Sequence, residues 1–354
     1  MLAGIDIENF RCIAQAHLEF DSRGTGILGN NGSGKTSLLE AIFFLGHGRS
    51  LRTNTREKLL KRGADFFRVV GRLETPRGKL VAGAEYTNGQ TRSRLAGQGI
   101  SSLSEIAEVL PIQLIDPSVH RLVEEGSARR RRLLDWGVFH VKHEFLVSWR
   151  RYQRALLQRN AALRAGEGLA VISAWEKEMA ECGSVVDQER AEYASRLKPI
   201  FEELASSLLP NRASFDYRRG WSVDESLAES LASKRSRDLQ LRTTSTGPHR
   251  ADLTFKTEGV LARDLVSRGQ QKMLACAFIL AQVRLRAETA PTPTCLLLDD
   301  PAAELDVDNL GKLLRAIESV PSQLIVTSVT EAGLRGVNIH KVFHVEQGEF
   351  TPML

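Results

Sequence analysis

A glycine-rich loop near the start of the chain constrains the fold more than any other segment. Residues 29–36 read Gly-Asn-Asn-Gly-Ser-Gly-Lys-Thr and match the phosphate-binding pattern G-x-x-x-x-G-K-S/T. Residues 25–28 predict a short strand, and residues 36–45 predict an apolar-faced helix that Gly46 ends. Because the motif requires this order of strand, loop and helix, the sequence predicts a nucleoside triphosphate site.

The residue types of the loop suggest their roles. Glycines let backbone N–H groups turn toward the β-phosphate, and the helix N-terminus adds unpaired donors and partial positive charge. We expect Lys35 to contact the β- and γ-phosphates and Thr36 to bind Mg²⁺. The expected nucleotide-binding residues are Gly29, Asn30, Asn31, Gly32, Ser33, Gly34, Lys35, Thr36 and Ser37.

Composition favours a globular cytoplasmic protein without a membrane segment. The 354 residues, 42% of them hydrophobic, suffice for two domains. No apolar run approaches the length of a membrane span, and Asp6 and Glu8 stand where a secretory signal would be positively charged. The spacing of the cysteines indicates neither a zinc site nor a disulfide framework; they are Cys12, Cys182, Cys276 and Cys295.

A net charge of +5 suggests an anionic partner in addition to the nucleotide. Aromatic residues make up 6% of the chain, which favours contact with a duplex backbone over base stacking on single strands. Each basic cluster could instead be a solvated or ion-paired face. The candidate DNA-contacting residues are Arg49, Arg52, Arg56, Lys58, Lys61, Arg62, Arg129, Arg130 and Arg151.

The first hundred residues predict a mixed sheet around the phosphate loop, with strands at residues 4–9, 67–74 and 80–86. The chain then becomes helical. Residues 144–165 and 173–209 have apolar positions at helical spacing, and Gly-Glu-Gly at 166–168 predicts the turn of an antiparallel helix pair.

Strand character returns at residues 253–256, 295–299 and 322–327, with a long helix over 267–288. The nucleotide domain is therefore expected to be split by a helical insertion. The predicted parts are residues 1–118, with the phosphate loop, residues 119–241, the helical lobe, and residues 242–354, the C-terminal part of the ATPase domain.

The apolar run before Asp299 and Asp300 has the form of a Walker B strand. Asp299 is expected to hold Mg²⁺ through water, and Asp300 to orient or deprotonate the attacking water. Most ATPases with such a Walker B strand have Glu at the position of Asp300. Because Asp has a shorter side chain, it predicts slow hydrolysis. The same pair alone could be a helix cap or a turn.

The residues that open the long helix, Ser267, Arg268, Gly269 and Gln270, resemble the signature sequence of ABC-type ATPases. That resemblance implies a dimer in which this segment contacts ATP bound to the second copy. Residues 303–306, ending in Asp306, resemble the D-loop, and Gln113 stands where the family places its catalytic, Mg²⁺-binding Q-loop glutamine. The family's switch histidine has no counterpart, because Thr327, Ser328 and Thr330 occupy that region.

Taken together, the motifs resemble the RecF family of recombination mediators, among the SMC-like ABC ATPases. The resemblance covers residues 9–11, 29–37, 46–50, 130–136, 158–163, 247–253, 267–272 and 298–306.

This resemblance implies an α/β, ABC-type P-loop ATPase domain with a mixed sheet and an inserted helical lobe II. It further implies an ATP- and Mg²⁺-dependent homodimer with weak, DNA-dependent ATPase activity. The dimer would clamp duplex DNA near single-strand gaps and junctions, and work with RecR and RecO to load RecA in recombinational repair and the SOS response.

Two alternatives remain open from the sequence. The chain could be the motor subunit of a membrane transporter, which shares the same nucleotide motifs. It could also be a binding module in which ATP holds a dimer together with negligible hydrolysis, as Asp300 in place of Glu would suggest.

Overall fold

The computed structural model describes residues 1–353 other than 54, 291 and 304. The chain divides into two compact units: the first unit is Met1–His120 with Ala275–Leu354, and the second unit is Arg121–Leu274. Among the described residues, no helix combines the length and apolarity needed to cross a membrane.

The strands of the chain are β1 Leu2–Phe10, β2 Ile13–Glu19, β3 Gly24–Leu28, β4 Phe66–Thr75, β5 Gly78–Thr87, β6 Gln90–Leu95, β7 Gln98–Ile100, β8 Ile112–Ile115, β9 Ala213–Arg218, β10 Asp252–Thr257, β11 Val260–Leu261, β12 Thr294–Asp299, β13 Ser322–Ser328, β14 Lys341–Glu346 and β15 Glu349–Met353.

The helices are α1 Lys35–His47, α2 Ser104–Val109, α3 Arg121–Glu124, α4 Ser127–Val141, α5 Phe145–Ala165, α6 Leu169–Leu208, α7 Leu227–Ser233, α8 Arg235–Leu241, α9 Ala262–Leu265, α10 Arg268–Ala287 and α11 Val307–Glu318.

The first unit contains two six-stranded sheets. The mixed sheet has the order β15-β14-β3-β13-β12-β8, with β15 antiparallel to β14 and the other pairs parallel. The second sheet is antiparallel, in the order β2-β1-β4-β5-β6-β7. The predicted mixed sheet is thus present, but the N-terminal strands that we expected in it form the antiparallel sheet instead.

Helix α1 packs against strands of both sheets, and its apolar residues join theirs in one core. The helix is buried almost all round, which a run of Leu, Ile and Phe makes favourable. The prediction that Gly46 ends the helix is wrong: the helix continues to His47, and Gly48, with φ 67°, forms the C-cap. Gly46 instead permits close packing, because a Cβ there would lie 2.6 Å from Ile112 Cδ1.

In the second unit, α5 and α6 form the predicted antiparallel pair, joined at Gly166, which has φ 71°. Arg159, fully buried on α5, forms ion pairs with Glu176 of α6 and with Asp238. Strands β9, β10 and β11 form a separate antiparallel sheet.

The boundary between the units differs from the division expected at residues 241 and 242. Because β10 pairs with β9 along its full length, residues 252–257 belong to the second unit. The boundary at Leu274 falls within α10, so the predicted signature segment also lies in the second unit. The functional division into three parts stays a prediction.

Candidate nucleotide-binding site

The phosphate loop joins the end of β3 to α1, and backbone hydrogen bonds tie it to the end of β13 and to the β14–β15 turn. The Gly29 N–H donates to the Ser328 carbonyl at 3.2 Å, and the Gly348 N–H, from the β14–β15 turn, donates to the Ser33 carbonyl at 2.7 Å. Gly34 has φ 124°, a conformation that side chains rarely allow. The role of Gly348 was missed by sequence reasoning, since a hairpin turn gives no sign of its distant partner.

Lys35 lies over this loop. Its Nζ donates to the carbonyl oxygens of Gly29 at 2.5 Å and Asn30 at 3.0 Å. Burial lowers the pKa of the Lys35 ammonium, and the carboxylates of Asp300 and Asp299 oppose that shift. The cation is therefore held at the loop by backbone oxygens and by the two acidic residues.

Asp299, at the end of β12, connects the two predicted halves of the site. Its carboxylate accepts hydrogen bonds from Thr36 Oγ1 at 3.1 and 3.2 Å, across 263 residues of sequence. Thr327 Oγ1 donates to Asp299 Oδ1 at 2.9 Å and accepts the Asp300 N–H at 3.0 Å. Asp300 itself has a positive φ of 44°. Thr327, noted in the sequence only as a departure, thus orients both acidic residues.

The residues present fit a nucleotide phosphate with Mg²⁺. The buried Ser33 Oγ has no hydrogen-bond partner among the described atoms, and the N-cap Gly34 supplies no side-chain acceptor to the first N–H groups of α1. The Thr36 hydroxyl and Asp299 carboxylate are the hard oxygen ligands that Mg²⁺ prefers. In the described part of the chain, no cluster of three or more His, Cys, Asp or Glu side chains could hold a metal.

The structure does not bring Gln113 to this cluster, which corrects its predicted catalytic and Mg²⁺-binding roles. Gln113 lies inside β8, where it pairs with Leu296, three residues before Asp299. Its buried side chain donates to Gln282 Oε1 of α10 at 3.2 Å. The amide therefore binds another side chain inside the fold and does not lie beside Asp299 at the carboxyl ends of the strands.

The start of α10 forms a capping box. The Gln270 N–H donates to Ser267 Oγ at 3.4 Å, and the Ser267 N–H donates to Gln270 Oε1 at 3.0 Å. The Arg268 side chain is 77% exposed, and a Cβ added at Gly269 would approach no atom closer than Ser267 Oγ at 4.0 Å. The predicted signature segment is therefore an ordered and open helix start.

Asp306 caps α11, accepting the Asn309 N–H at 2.8 Å. That hydrogen bond lowers the pKa of the Asp306 carboxyl. Glu304, which also belongs to the predicted D-loop, lies outside the described residues.

Comparison with known proteins identifies the family. The RecF/RecN/SMC N terminal domain matches residues 1–351. The DNA replication and repair protein RecF of Shewanella denitrificans is 37% identical over 356 residues, covering 99% of both chains. The RecF protein of Thioalkalivibrio sulfidiphilus is 36% identical and covers 98% of both. The chain belongs to the RecF family.

Solved structures agree with this assignment. The recombination mediator protein RecF-ATP in the RecFOR pathway has a TM-score of 0.90 and 25% identity, covering 100% of this chain and 97% of that one. An Smc head bound to the C-winged helix domain of ScpA has a TM-score of 0.64 at 17% identity, covering 99% and 96%, and shows the fold alone. The predicted resemblance to RecF and the ABC-type ATPase fold are confirmed.

Two RecF-like motifs that had no assigned role now have a structural one. Arg11 forms a bidentate pair with the buried Glu40 of α1, at 2.8 and 3.0 Å, and donates to the Lys58 carbonyl at 2.7 Å. Ser50 Oγ donates to the same Glu40 at 2.5 Å. This network attaches the basic segment after α1 to the helix that begins at the phosphate loop.

The second motif surrounds His249. The distance from its Nε2 to the Thr244 carbonyl is 3.1 Å, so Nε2 is the donor there, and Nδ1 accepts the Tyr152 hydroxyl at 2.7 Å. Burial lowers the pKa of His249 to about 4. The neutral ring therefore links the turn before β10 to α5.

The candidate DNA-contacting residues divide into several groups. Arg130 is buried and forms a bidentate pair with Asp252 at 2.7 and 3.0 Å, which corrects its assignment to the DNA surface. Arg129 lies 3.4 Å from Glu125, and Arg151 lies 2.8 Å from Glu178.

The remaining candidates follow α1. The Arg49 guanidinium is 6.0 Å from the centre of the Phe43 ring, and Lys61 donates to the Cys12 carbonyl at 3.4 Å. The exposed members of the set are Arg49, Arg52, Arg56, Lys58 and Arg62.

Proposed function

We propose that this chain is an ATP-binding recombination mediator of DNA replication and repair. The observation that most strongly supports ATP binding is the Thr36–Asp299 contact, which joins a phosphate loop and a Walker B strand in one cluster. Family membership supports the DNA role, since the curated relatives are named DNA replication and repair proteins.

In this proposal, Lys35 contacts the β- and γ-phosphates, and Thr36 and Asp299 hold Mg²⁺. When bound, Mg²⁺ neutralises charge on the phosphates. Asp300 orients or deprotonates the attacking water. Thr327 fixes the backbone of Asp300 and the carboxylate of Asp299 through its hydroxyl. Because Asp is one methylene shorter than Glu, we expect slow release of ADP and phosphate.

We further propose that ATP drives dimerisation, with the Ser267–Gln270 helix start of one copy contacting the γ-phosphate held by the other. Apart from the Gln270 N–H, which donates to Ser267, the first N–H groups of a helix have no partner within it and form an anion site. The open surroundings of Gly269 leave room for such a ligand. The dimer would clamp duplex DNA near gaps and junctions and act with RecR, RecO and RecA.

A second candidate is an ATP-gated binding module with negligible turnover. The Asp300–Thr327 pair favours it, because neither the usual Glu nor a switch histidine stands at these positions. Measuring phosphate release with and without duplex DNA distinguishes the two candidates. A DNA-dependent ATPase should release phosphate faster when DNA is added, whereas the binding module should not. The family relatives do not favour the transporter alternative.

Light scattering tests the dimer directly. With ATP and Mg²⁺, the wild-type mass should double, whereas Ser267→Arg should bind ATP as a monomer because its side chain blocks the helix start. The conservative Ser267→Thr keeps the hydroxyl cap and should still dimerise. A Ser267→Arg chain that doubles its mass would reject the proposed contact between copies.

A further inference from the structure

The antiparallel sheet of the first unit has one face on the core and one in solvent. Phe67, Val69, Ala82 and Ala84 point into the core, so the residues that alternate with them on β4 and β5 point away. The outward face of β6 presents Arg92 and Arg94, both exposed.

The arginines on the outward face of this sheet differ in whether they form ion pairs. On β4, Arg68 lies 2.6 Å from Glu8 and 3.8 Å from Glu85, and Arg72 pairs with Asp6 and Glu19. Among the described residues, no ion pair involves Arg92 or Arg94. Glu85, which faces Arg92 across the strands, is already engaged by Arg68.

The surroundings of Arg94 leave space for a bulky ligand. Its neighbours across β5 and β7 are Gly83 and Gly99. A Cβ added at Gly99 would meet no atom within 4 Å, and one at Gly83 would meet only Val70 Cγ2 at 3.6 Å and the Val69 carbonyl at 3.9 Å. Glycines within strands often mark a place where another backbone approaches closely.

The spacing of the two arginines matches a charged polymer. Residues two apart on a strand lie on one face, about 6.7 Å apart. That is close to the spacing of successive phosphates along one nucleic-acid strand. Arg77 and Lys79, both exposed in and after the β4–β5 turn, extend the positive charge at the end of the strand nearer Arg94. We call Arg77, Lys79, Arg92 and Arg94 the β6 surface.

We propose that the β6 surface binds the phosphate backbone of duplex DNA without reading its sequence. This inference rests on the proposed DNA-binding function and adds a contact region outside the segments that the sequence pointed to. Charge favours DNA over a protein partner, because the ion pairs that neutralise the rest of this face are missing on β6. Glycines that leave the face flat also suit a rigid duplex better than a side-chain-rich protein surface.

Salt-dependent DNA binding tests the proposal. Fluorescence anisotropy with a duplex of mixed sequence, ATP and Mg²⁺ would compare the wild type with Arg92→Ala/Arg94→Ala. Each lost phosphate contact lowers the slope of log affinity against log salt by about 0.9, so the slope should fall by about 2. Affinity at low salt should fall about tenfold or more. Scrambling the duplex sequence should change neither value.

Arg92→Lys/Arg94→Lys is the matched control and should keep the wild-type slope, because lysine also neutralises a phosphate. Thermal unfolding and ATP-driven mass doubling should be the same in all three proteins, since the side chains are exposed. If the wild type binds DNA and Arg92→Ala/Arg94→Ala binds with the same slope, the β6 surface is no DNA contact and suits an acidic protein instead. If the wild type does not bind duplex DNA, the proposed function fails as well.

Discussion

At the scale of single residues, a threonine hydroxyl links the two acidic residues of the site. We expect Thr327→Val to remove one donor to Asp299 and one acceptor for the Asp300 N–H. The buried bonds make the loss about 1–3 kcal/mol of stability. Phosphate release should fall at least about tenfold, as for other lost orienting contacts at charged groups. ATP affinity should change little, because Lys35 and the loop remain.

Thr327→Ser is the control, since it keeps the hydroxyl, and it should retain most of the phosphate release. Calorimetric ATP titration and a phosphate-release assay measure the two quantities separately. Equal turnover in Thr327→Val and the wild type would mean that the hydroxyl serves only the fold.

Lys35 is the residue whose loss should affect nucleotide affinity most. Its ammonium is desolvated at the loop and already near the carbonyls of Gly29 and Asn30. Lys35→Met removes the charge but keeps much of the side-chain volume, so ATP affinity should fall about a hundredfold or more. Equilibrium binding of a fluorescent ATP analogue would measure it, and retained micromolar affinity would contradict the role.

Residue roles could be predicted where a short motif defines the chemistry. The spacing and context of their motifs predict that Lys35, Thr36 and Asp299 act together, and the structure places them near one another, while their roles stay predictions. Gln113 was misplaced, since no local pattern distinguishes a glutamine inside a strand from one at its end. The sequence also gave no sign that Gly348 would support the phosphate loop, because that contact depends on how two distant strands pair.

At the scale of secondary structure, periodicity predicted the elements better than their partners. Apolar runs located β12 and β13, and helical spacing located α5 and α6 within a few residues. Alternation shows that β1 is a strand but does not identify its neighbours, so the second sheet was not foreseen. The same limit applies to β10, whose pairing with β9 moves it into the second unit.

The turn before β10 gives an element-scale prediction about pH. His249 has a pKa of about 4 when folded and 6.5 when unfolded, because burial disfavours the charged ring. The unfolded state binds more protons between these values, so stability falls as pH decreases through that window. At pH 5 the loss should be about 2 kcal/mol.

Urea midpoints at pH 7.5 and pH 5 measure this effect, and His249→Gln provides the comparison. The variant should be less stable than the wild type at pH 7.5, having lost the ring that joins Tyr152 to Thr244, but should lose less stability on acidification. Burial also lowers the pKa of His47, to about 3, so only the difference between the two proteins reports on His249. Equal pH responses would refute the assignment.

At the scale of the whole molecule, the two halves of the proposed composite site belong to different units of the chain. The phosphate loop lies in the first unit and the Ser267–Gln270 helix start in the second. If each nucleotide contacts both halves from different copies, two variants defective in different halves should complement each other. Lys35→Met keeps an intact helix start, and Ser267→Arg keeps an intact phosphate loop.

Each variant alone should remain monomeric with ATP and Mg²⁺. A mixture can build one complete site, from the loop of Ser267→Arg and the helix start of Lys35→Met, so it should form heterodimers. Native mass spectrometry would resolve the heterodimers if one variant had a mass tag. The mixed dimer should be more abundant than either homodimer. With only one intact site, the mixed dimer should be weaker than the wild-type dimer. A site completed within a single copy predicts monomers in the mixture, because neither chain then possesses both halves.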